Sequence, residues 1–253
     1  MIAKIVRIVC LVIATTLALT AWAQPRPPAR CSDTTFAGAY GITFSGVDSH
    51  GRMRAAVAQI TADGKGKFAG EESESKGGVI HSDVPVTGTY AIKADCTGAG
   101  VWMSAGKVRH YNLVLITGGS GAELVQTDTG FTESGLAEAQ GKATCTDMGL
   151  HGAFGFHATG SFVGAGPAAF IGQFNLNDGN IAGSESGSVN GTIFSGVELL
   201  GKYTINSDCT GTAMVTPAGQ SAVNFDLVVV AGGSKVLAVE TDTNTIVSGS
   251  LEK

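Results

Sequence analysis

The sequence has few charged residues, few aromatic residues and no clustered basic segment. Of its 253 residues, 15% are charged and 7% are aromatic, and proline occurs six times. The scattered basic residues exclude the phosphate-binding surface that a nucleic-acid-binding protein needs. Apolar runs are too short for a membrane-spanning helix of about 20 residues. We therefore expect no nucleic-acid partner and no membrane span after processing.

Motifs of common catalytic and cofactor sites are also missing. The sequence contains no Gly-x-Ser-x-Gly nucleophile turn and no complete nucleotide-binding glycine pattern. It has no Cys-x-x-Cys pair and no histidine at ligand spacing from a cysteine. Residues 175–180 resemble half of a calcium loop, but the closing carboxylate is missing and Asp178-Gly179 predicts a hairpin turn. We predict no catalytic residue, no metal site and no cofactor.

The N-terminus has the three parts of an export signal. Lys4 and Arg7 precede an apolar run over residues 8–19, and Ala21-Trp22-Ala23 follows as a cleavage pattern of small residues. Loss of this signal peptide, residues 1–23, leaves 14 basic and 21 acidic residues, a net charge near −7. A proline-rich linker over 24–30 would then begin the chain. The sequence predicts a secreted or periplasmic protein, with an uncleaved anchor as the alternative.

Two halves of the chain share motifs in the same order. Cys31 begins Cys-Ser-Asp-Thr-Thr-Phe-Ala-Gly-Ala-Tyr-Gly, and Cys145, 114 residues later, begins Cys-Thr-Asp-Met-Gly-Leu-His-Gly-Ala-Phe-Gly. A second pair of matching segments lies at 88–98 and 201–211. Similarity over a whole domain length indicates two copies of one folding unit. The predicted divisions are a first β domain over 31–136, a linker over 137–144 and a second β domain over 145–253.

Each half alternates with the period of two that is typical of strands. Tyr40, Ile42 and Phe44 fall on one face, whereas small residues such as Gly41 fall on the other, next to a cavity or a neighbouring barrel wall. Turn signals recur every 8 to 15 residues and delimit seven or eight strands per half. Short connections favour an antiparallel meander. We predict an all-β protein of two tandem antiparallel eight-stranded up-and-down barrels, with two β-sandwiches as the alternative.

Four cysteines remain after processing, and four cysteines allow three pairings. Each half has one at its start and one in an Asp-Cys-Thr-Gly motif, with separations of 65 and 64 residues. A unit that once folded alone needed its own bond, so we predict the disulfides Cys31–Cys96 and Cys145–Cys209. By the chain-entropy estimate, each would stabilise its domain by roughly 4 kcal/mol.

Several acidic residues match between the halves. Glu72 matches Glu185, and Asp128 matches Asp242 within a Thr-Asp-Thr motif that we assign to a strand. A carboxylate inside a barrel would be a candidate base if burial raised its pKa. However, Glu72 lies with Glu71 and Glu74 in a hydrophilic stretch that indicates an exposed strand or loop.

Other acids, the histidines and the aromatic residues favour structural roles. Asp95 and Asp208 are expected to hold turn amides beside the cysteines. His151 and His157 lie on one face of a proposed strand, where polar substitution is the simpler interpretation and acid–base chemistry the alternative. Four aromatic residues are expected to matter for packing or ligand contact: Trp102, Tyr111, Phe154 and Phe225.

The Gly-x-Tyr-x-Ile-x-x-Asp-Cys-Thr-Gly segments at 88–98 and 201–211 resemble a repeat of exported bacterial proteins. This resemblance covers nearly all of both halves and implies no particular activity. The strand number and meander are also similar to allene oxide cyclase and dirigent-type barrels, a likeness of fold alone. No catalytic residue of those families matches a position in this sequence.

Three functions are compatible with these features. The first is a non-enzymatic exported module that binds a small apolar ligand or a cell-envelope component. Two features favour it: the duplicated domains each contain a disulfide, and the sequence lacks a paired nucleophile and base. The second is an isomerase- or cyclase-like barrel enzyme acting on a small apolar substrate, which requires a carboxylate or histidine facing the interior. The third is a purely structural secreted protein. The oligomeric state is open in all three.

Overall fold

The computed structural model describes residues 30–142 and 144–253, without the side chain of Thr117. The predicted signal peptide and residues 24–29 lie outside this part. The first eight strands are β1 (Ala37–Asp48), β2 (Met53–Asp63), β3 (Lys67–Lys76), β4 (Val79–Ile92), β5 (Thr97–Ser104), β6 (Lys107–Ile116), β7 (Gly121–Gln126) and β8 (Phe131–Ala139). The next eight are β9 (Gly152–Phe162), β10 (Gly166–Asn177), β11 (Asn180–Val189), β12 (Thr192–Ile205), β13 (Thr210–Pro217), β14 (Val223–Val230), β15 (Lys235–Glu240) and β16 (Thr245–Glu252). β8 extends three residues into the segment assigned to the linker.

Each set of eight strands closes into an antiparallel barrel. Strands pair with their neighbours in chain order, and β1 pairs with β8 as β9 pairs with β16. This closure confirms the predicted barrels and excludes the sandwiches. No helix in the described part of the chain is long and apolar enough to cross a membrane.

Alternation along the strands divides interior from exterior. In β6, for example, Arg109, Tyr111, Leu113 and Leu115 are buried, and the residues between them are exposed. Successive side chains of a strand point to opposite faces of its sheet. Each barrel therefore has its own core.

One end of each barrel is closed by a 3-10 helix and a disulfide. The helices span Asp33–Phe36 and Asp147–Gly149. The bonds Cys31–Cys96 and Cys145–Cys209 join Cα atoms that are 5.0 and 4.9 Å apart, so the predicted pairing is confirmed.

Three predicted turns are also confirmed. Asp95 and Asp208 accept hydrogen bonds from the backbone N–H groups of Thr97 and Thr210, both at 3.0 Å. Asp178-Gly179 forms the two-residue loop between β10 and β11. Both of its residues have positive φ, +44° and +77°, as a type I′ hairpin turn requires.

The two barrels pack against each other through their outer surfaces. We call the contributing surfaces the β2 face, with Ala55 and Val57, and the β14–β16 face. The latter contains Val228, Val230, Leu237, Val239 and Ile246, and all seven side chains are buried in one apolar cluster. The Ser75 hydroxyl donates to the Thr245 carbonyl, and the Asn244 N–H donates to the Gly78 carbonyl at 2.8 Å.

Gly41 permits the close approach of β1 to the β14–β16 face. A Cβ atom at Gly41 would lie 2.5 Å from a methyl group of Val230 and 2.8 Å from one of Val228. Of the two alternatives for this small-residue face, the neighbouring barrel wall is therefore the one observed at Gly41.

Gly41→Ala should destabilise the protein by about 1–3 kcal/mol, because the added methyl group overpacks the contact between the barrels. Gly155, at the equivalent position of β9, is the matched control. A Cβ atom there would have its nearest neighbour, the Glu252 carbonyl oxygen, at 3.8 Å. Gly155→Ala should be neutral or slightly stabilising in urea unfolding curves. Equal effects of the two substitutions would contradict this account of the contact.

Candidate functional site

Strand registers align the two barrels position by position. Tyr40 pairs with Ile60 in the first barrel as Phe154 pairs with Phe174 in the second. A β-bulge lies after Glu72 in the β3–β4 pairing and after Glu185 in the β11–β12 pairing. Glu72 and Glu185 thus occupy equivalent interior positions.

The interior of the first barrel contains a charged cluster near the end away from the disulfide. Arg54 lies at its centre. Its Nε donates to Glu74 at 2.5 Å, and its Nη atoms donate to Glu72 and Glu133 at 3.0 Å each. Arg109 donates to Glu72 at 3.0 Å and to Glu74 at 3.1 Å. Two guanidinium groups therefore pair with three carboxylates, and all five side chains are largely buried.

The pKa values in the charged cluster follow from this pairing. Burial alone would raise the pKa of Glu74, but the guanidinium groups of Arg54 and Arg109 outweigh it and hold that pKa below its ordinary value. Burial also opposes the charge of Arg54, and the surrounding carboxylates reverse this effect and raise its pKa. Burial and the adjacent Glu133, 2.5 Å from the Tyr111 hydroxyl, raise the pKa of Tyr111. Pairing therefore favours the charged forms of Glu74 and Arg54, whereas the hydroxyl of Tyr111 is held neutral.

The expectation that Glu72 and Glu74 are exposed is wrong. They are 2% and 6% exposed. Their hydrophilic neighbours suggested a solvated strand, but both side chains point into the closed barrel, where arginines from other strands neutralise them.

The equivalent layer of the second barrel has lost these partners. Small or apolar residues replace every other member of the cluster and its tyrosine: Ala168 for Arg54, Gly187 for Glu74, Val223 for Arg109, Phe225 for Tyr111 and Val247 for Glu133. Only Glu185 remains.

The second barrel also contains an apolar cavity of about 50 Å³, and Phe225 is the one of these five replacing residues that lines it. Its wall is formed by Glu185 and by apolar side chains that include Phe174, Phe225 and Leu227. Three half-buried rings lie at the end away from the disulfide: the ring centres of Phe162 and Phe194 are 6.2 and 6.1 Å from that of Phe170. We call the space of about 50 Å³ the second-barrel cavity.

Glu240 is a second carboxyl group inside the second barrel, although it does not line the second-barrel cavity. It pairs across the strands with Phe225 and is 5% exposed. Burial, reinforced by the charges of Asp242 and Glu185 and partly opposed by a hydrogen bond from Thr245, raises the pKa of Glu240 to about 7. Burial also raises the pKa of Glu185. Among the described residues, neither carboxylate forms an ion pair.

The other predicted candidates lie away from the barrel interiors. Asp128 and Asp242 follow β7 and β15 in the turns, rather than lying in strands as expected. They accept backbone hydrogen bonds at 2.8 Å from His110 and Asn224, so both stabilise turns. His151 precedes β9 and bonds to the Met148 carbonyl, and the exposed His157 lies on the outer face of the barrel. The histidines thus do not share a strand face.

The selected aromatic residues are mainly core residues. Trp102, Tyr111 and Phe154 are each at most 3% exposed, whereas Phe225 lines the second-barrel cavity. Sequence reasoning missed Glu240. Alternation over Val236, Ala238 and Glu240 is the signal that would have placed it inside the barrel.

Comparison of the sequence with protein families and with curated proteins finds no match. Among solved structures, the chain is weakly similar to CghA with Sch210972, at 10% identity and a TM-score of 0.27, over 88% of this chain and 93% of that one. A second CghA structure gives the same identity and TM-score, over 90% and 94% of the two chains. Kievitone hydratase from Nectria haematococca gives 7% identity and a TM-score of 0.25, over 87% and 89%. Similarity at this level carries no argument about activity.

Glu240→Gln should remove a pH dependence of stability. With a folded pKa near 7 against an ordinary value of 4.5, folded Glu240 retains a proton that the unfolded chain releases. The free energy of unfolding therefore falls as pH rises from 4.5 to 7, by about 3 kcal/mol from this group. Urea unfolding across this range should show the variant gaining stability over the wild type as pH rises. Gln126 at the equivalent position of the first barrel shows that a glutamine side chain fits there. Parallel stability–pH profiles of the wild type and Glu240→Gln would contradict the prediction.

Proposed function

We propose that the second barrel binds a small molecule with an apolar body and a cationic or hydrogen-bond-donating end, and that the first barrel supports it structurally. The contrast between the two interiors carries this proposal. The layer that is filled by ion pairs in the first barrel is apolar in the second, where Glu185 and Glu240 lack a cation.

The chemistry of the second-barrel cavity defines the ligand class. A volume near 50 Å³ holds a fragment of a few heavy atoms, so the apolar end of the ligand enters the cavity and the remainder lies against Phe162, Phe170 and Phe194. A protonated amine would form charge-assisted hydrogen bonds with Glu185 or Glu240 in a site of low dielectric. Aromatic rings also attract a cation over their faces.

Export remains part of this proposal. The two disulfides fit an oxidising compartment, where such bonds form and persist. A ligand-binding module in the periplasm or outside the cell is thus consistent with the predicted signal peptide.

Titration with n-hexylamine, n-hexanol and hexanoate, followed by amide chemical shifts, tests the binding site. The amine should bind tightest and hexanoate weakest. Glu185→Gln should weaken amine binding at least about tenfold, since a hydrogen bond to a charged group contributes about 1.5–3 kcal/mol, and should affect hexanol little.

Two Ala→Leu variants locate the ligand. Ala238 lines the second-barrel cavity, and Leu124 occupies its place in the first barrel, so Ala238→Leu should abolish binding. Ala182 lies outside, in an open groove of about 820 Å³, and Ala182→Leu is the matched control. Binding that survives Ala238→Leu and is lost with Ala182→Leu would overturn the assignment.

The second candidate function is acid–base catalysis by Glu240 in the interior of the second barrel. The pKa of Glu240, about 7, suits a group that both accepts and donates a proton near neutral pH. We test this with deuterium exchange at the α carbon of 2-butanone in D₂O. The protein should accelerate exchange and Glu240→Gln should abolish the acceleration, whereas Ala182→Leu should retain it. Exchange at the buffer rate would remove this candidate.

A further inference from the structure

The contact between the two barrels joins two different surfaces. The first barrel contributes the β2 face, and the second contributes the β14–β16 face. Such a heterologous contact leaves one copy of each surface unused, because each barrel has both. The β10 face of the second barrel is equivalent to the β2 face, and the β6–β8 face of the first barrel is equivalent to the β14–β16 face.

Both unused surfaces retain apolar side chains. On the β10 face, Ile171 stands at the position of Val57 and is 61% exposed. On the β6–β8 face, Val114, Ile116 and Val125 stand at the positions of Val228, Val230 and Val239, and they are 52%, 39% and 50% exposed. Val57, Val228, Val230 and Val239, which the internal contact covers, are at most 3% exposed.

The backbone features of the internal contact also recur on the unused surfaces. Gly78 and Asn244, which share a hydrogen bond, have φ of +81° and +67°. Their equivalents Gly191 and Gly130 have φ of +83° and +85°. Gly155 replaces Gly41 and again leaves open space for an approaching side chain.

Two positions of the β6–β8 face are polar where the internal contact is apolar, and one of them is Thr132, which takes the place of Ile246. Glu123 of the β6–β8 face takes the place of Leu237, whose side chain would lie 3.1 Å from a Cβ atom at Gly41. The corresponding contact would bring Glu123 next to Gly155. His157 lies on the same outer face of β9, two residues further along the strand.

We propose that a second copy of this chain docks by repeating the internal contact, with the β10 face of one molecule on the β6–β8 face of the next. Each molecule then has one donor surface and one acceptor surface. Repetition gives a head-to-tail assembly that ends either as a closed ring or as a filament.

Sedimentation of the wild-type protein and two charge variants tests this arrangement. The linker raises the effective concentration of the internal contact to the millimolar range, so the intermolecular one is measured up to about 1 mM. The wild type should assemble beyond the dimer as concentration rises. Ile171→Asp places a charge on the β10 face, and Val114→Asp places one on the β6–β8 face. Each contact needs both faces intact, so each variant alone should remain monomeric.

A 1:1 mixture of the two variants distinguishes this contact from a symmetric one. Each variant retains one intact surface, so the mixture should form dimers and nothing larger. Met148→Asp, at a residue 71% exposed in the 3-10 helix Asp147–Gly149, should assemble like the wild type. A wild type that is monomeric throughout, either variant assembling alone, or a mixture that stays monomeric would overturn the proposal.

Discussion

Closure of each sheet is the constraint on which the rest of the structure depends. Because β1 pairs with β8 and β9 with β16, every second side chain points into a space whose width is fixed by the strand number and stagger. A polar group in that space must find its partner inside the barrel or remain unpaired. The first barrel fills the layer around Arg54 with ion pairs, whereas the equivalent layer of the second barrel holds small and apolar groups and borders an apolar cavity through Phe225 and Glu185.

The two barrel interiors differ in whether their carboxylates have cationic partners. Removing a carboxylate from water is expensive unless a cation or several hydrogen bonds compensate. Glu72 has both guanidinium groups of its cluster within 3.0 Å, whereas Glu185, at the equivalent position, is half-buried beside apolar walls and has a raised pKa. Such a group lowers stability without assisting the packing. Departures of this kind are expected where a protein binds or transforms a ligand, which is why the second barrel is the better candidate site.

Local sequence patterns predicted the strands, the barrels and the disulfide pairing. Period-two alternation and the motif order gave two eight-stranded barrels, and the matching positions of Cys31 and Cys145 gave the disulfide pairing. The interior chemistry was not accessible in this way. Alternation alone places Glu72 on one face of β3, but its partners Arg54 and Arg109 lie 18 and 37 residues away on other strands. Only the registers of the closed sheet bring the three side chains together.

The local sequence also does not predict which outer residues are covered by the other barrel. Val57 and Ile171 are aliphatic residues at equivalent positions, and nothing in their local sequence separates the covered one, 2% exposed, from the open one, 61% exposed. The difference arises because the internal contact covers the β2 face of the first barrel, whereas the equivalent β10 face of the second barrel stays uncovered. If the chain were monomeric, we would expect polar residues on both uncovered faces. Monomeric proteins rarely expose large apolar patches. Here Glu123 is the one charged replacement among the side chains equivalent to the apolar cluster, and Val114 and Val125 beside it remain apolar.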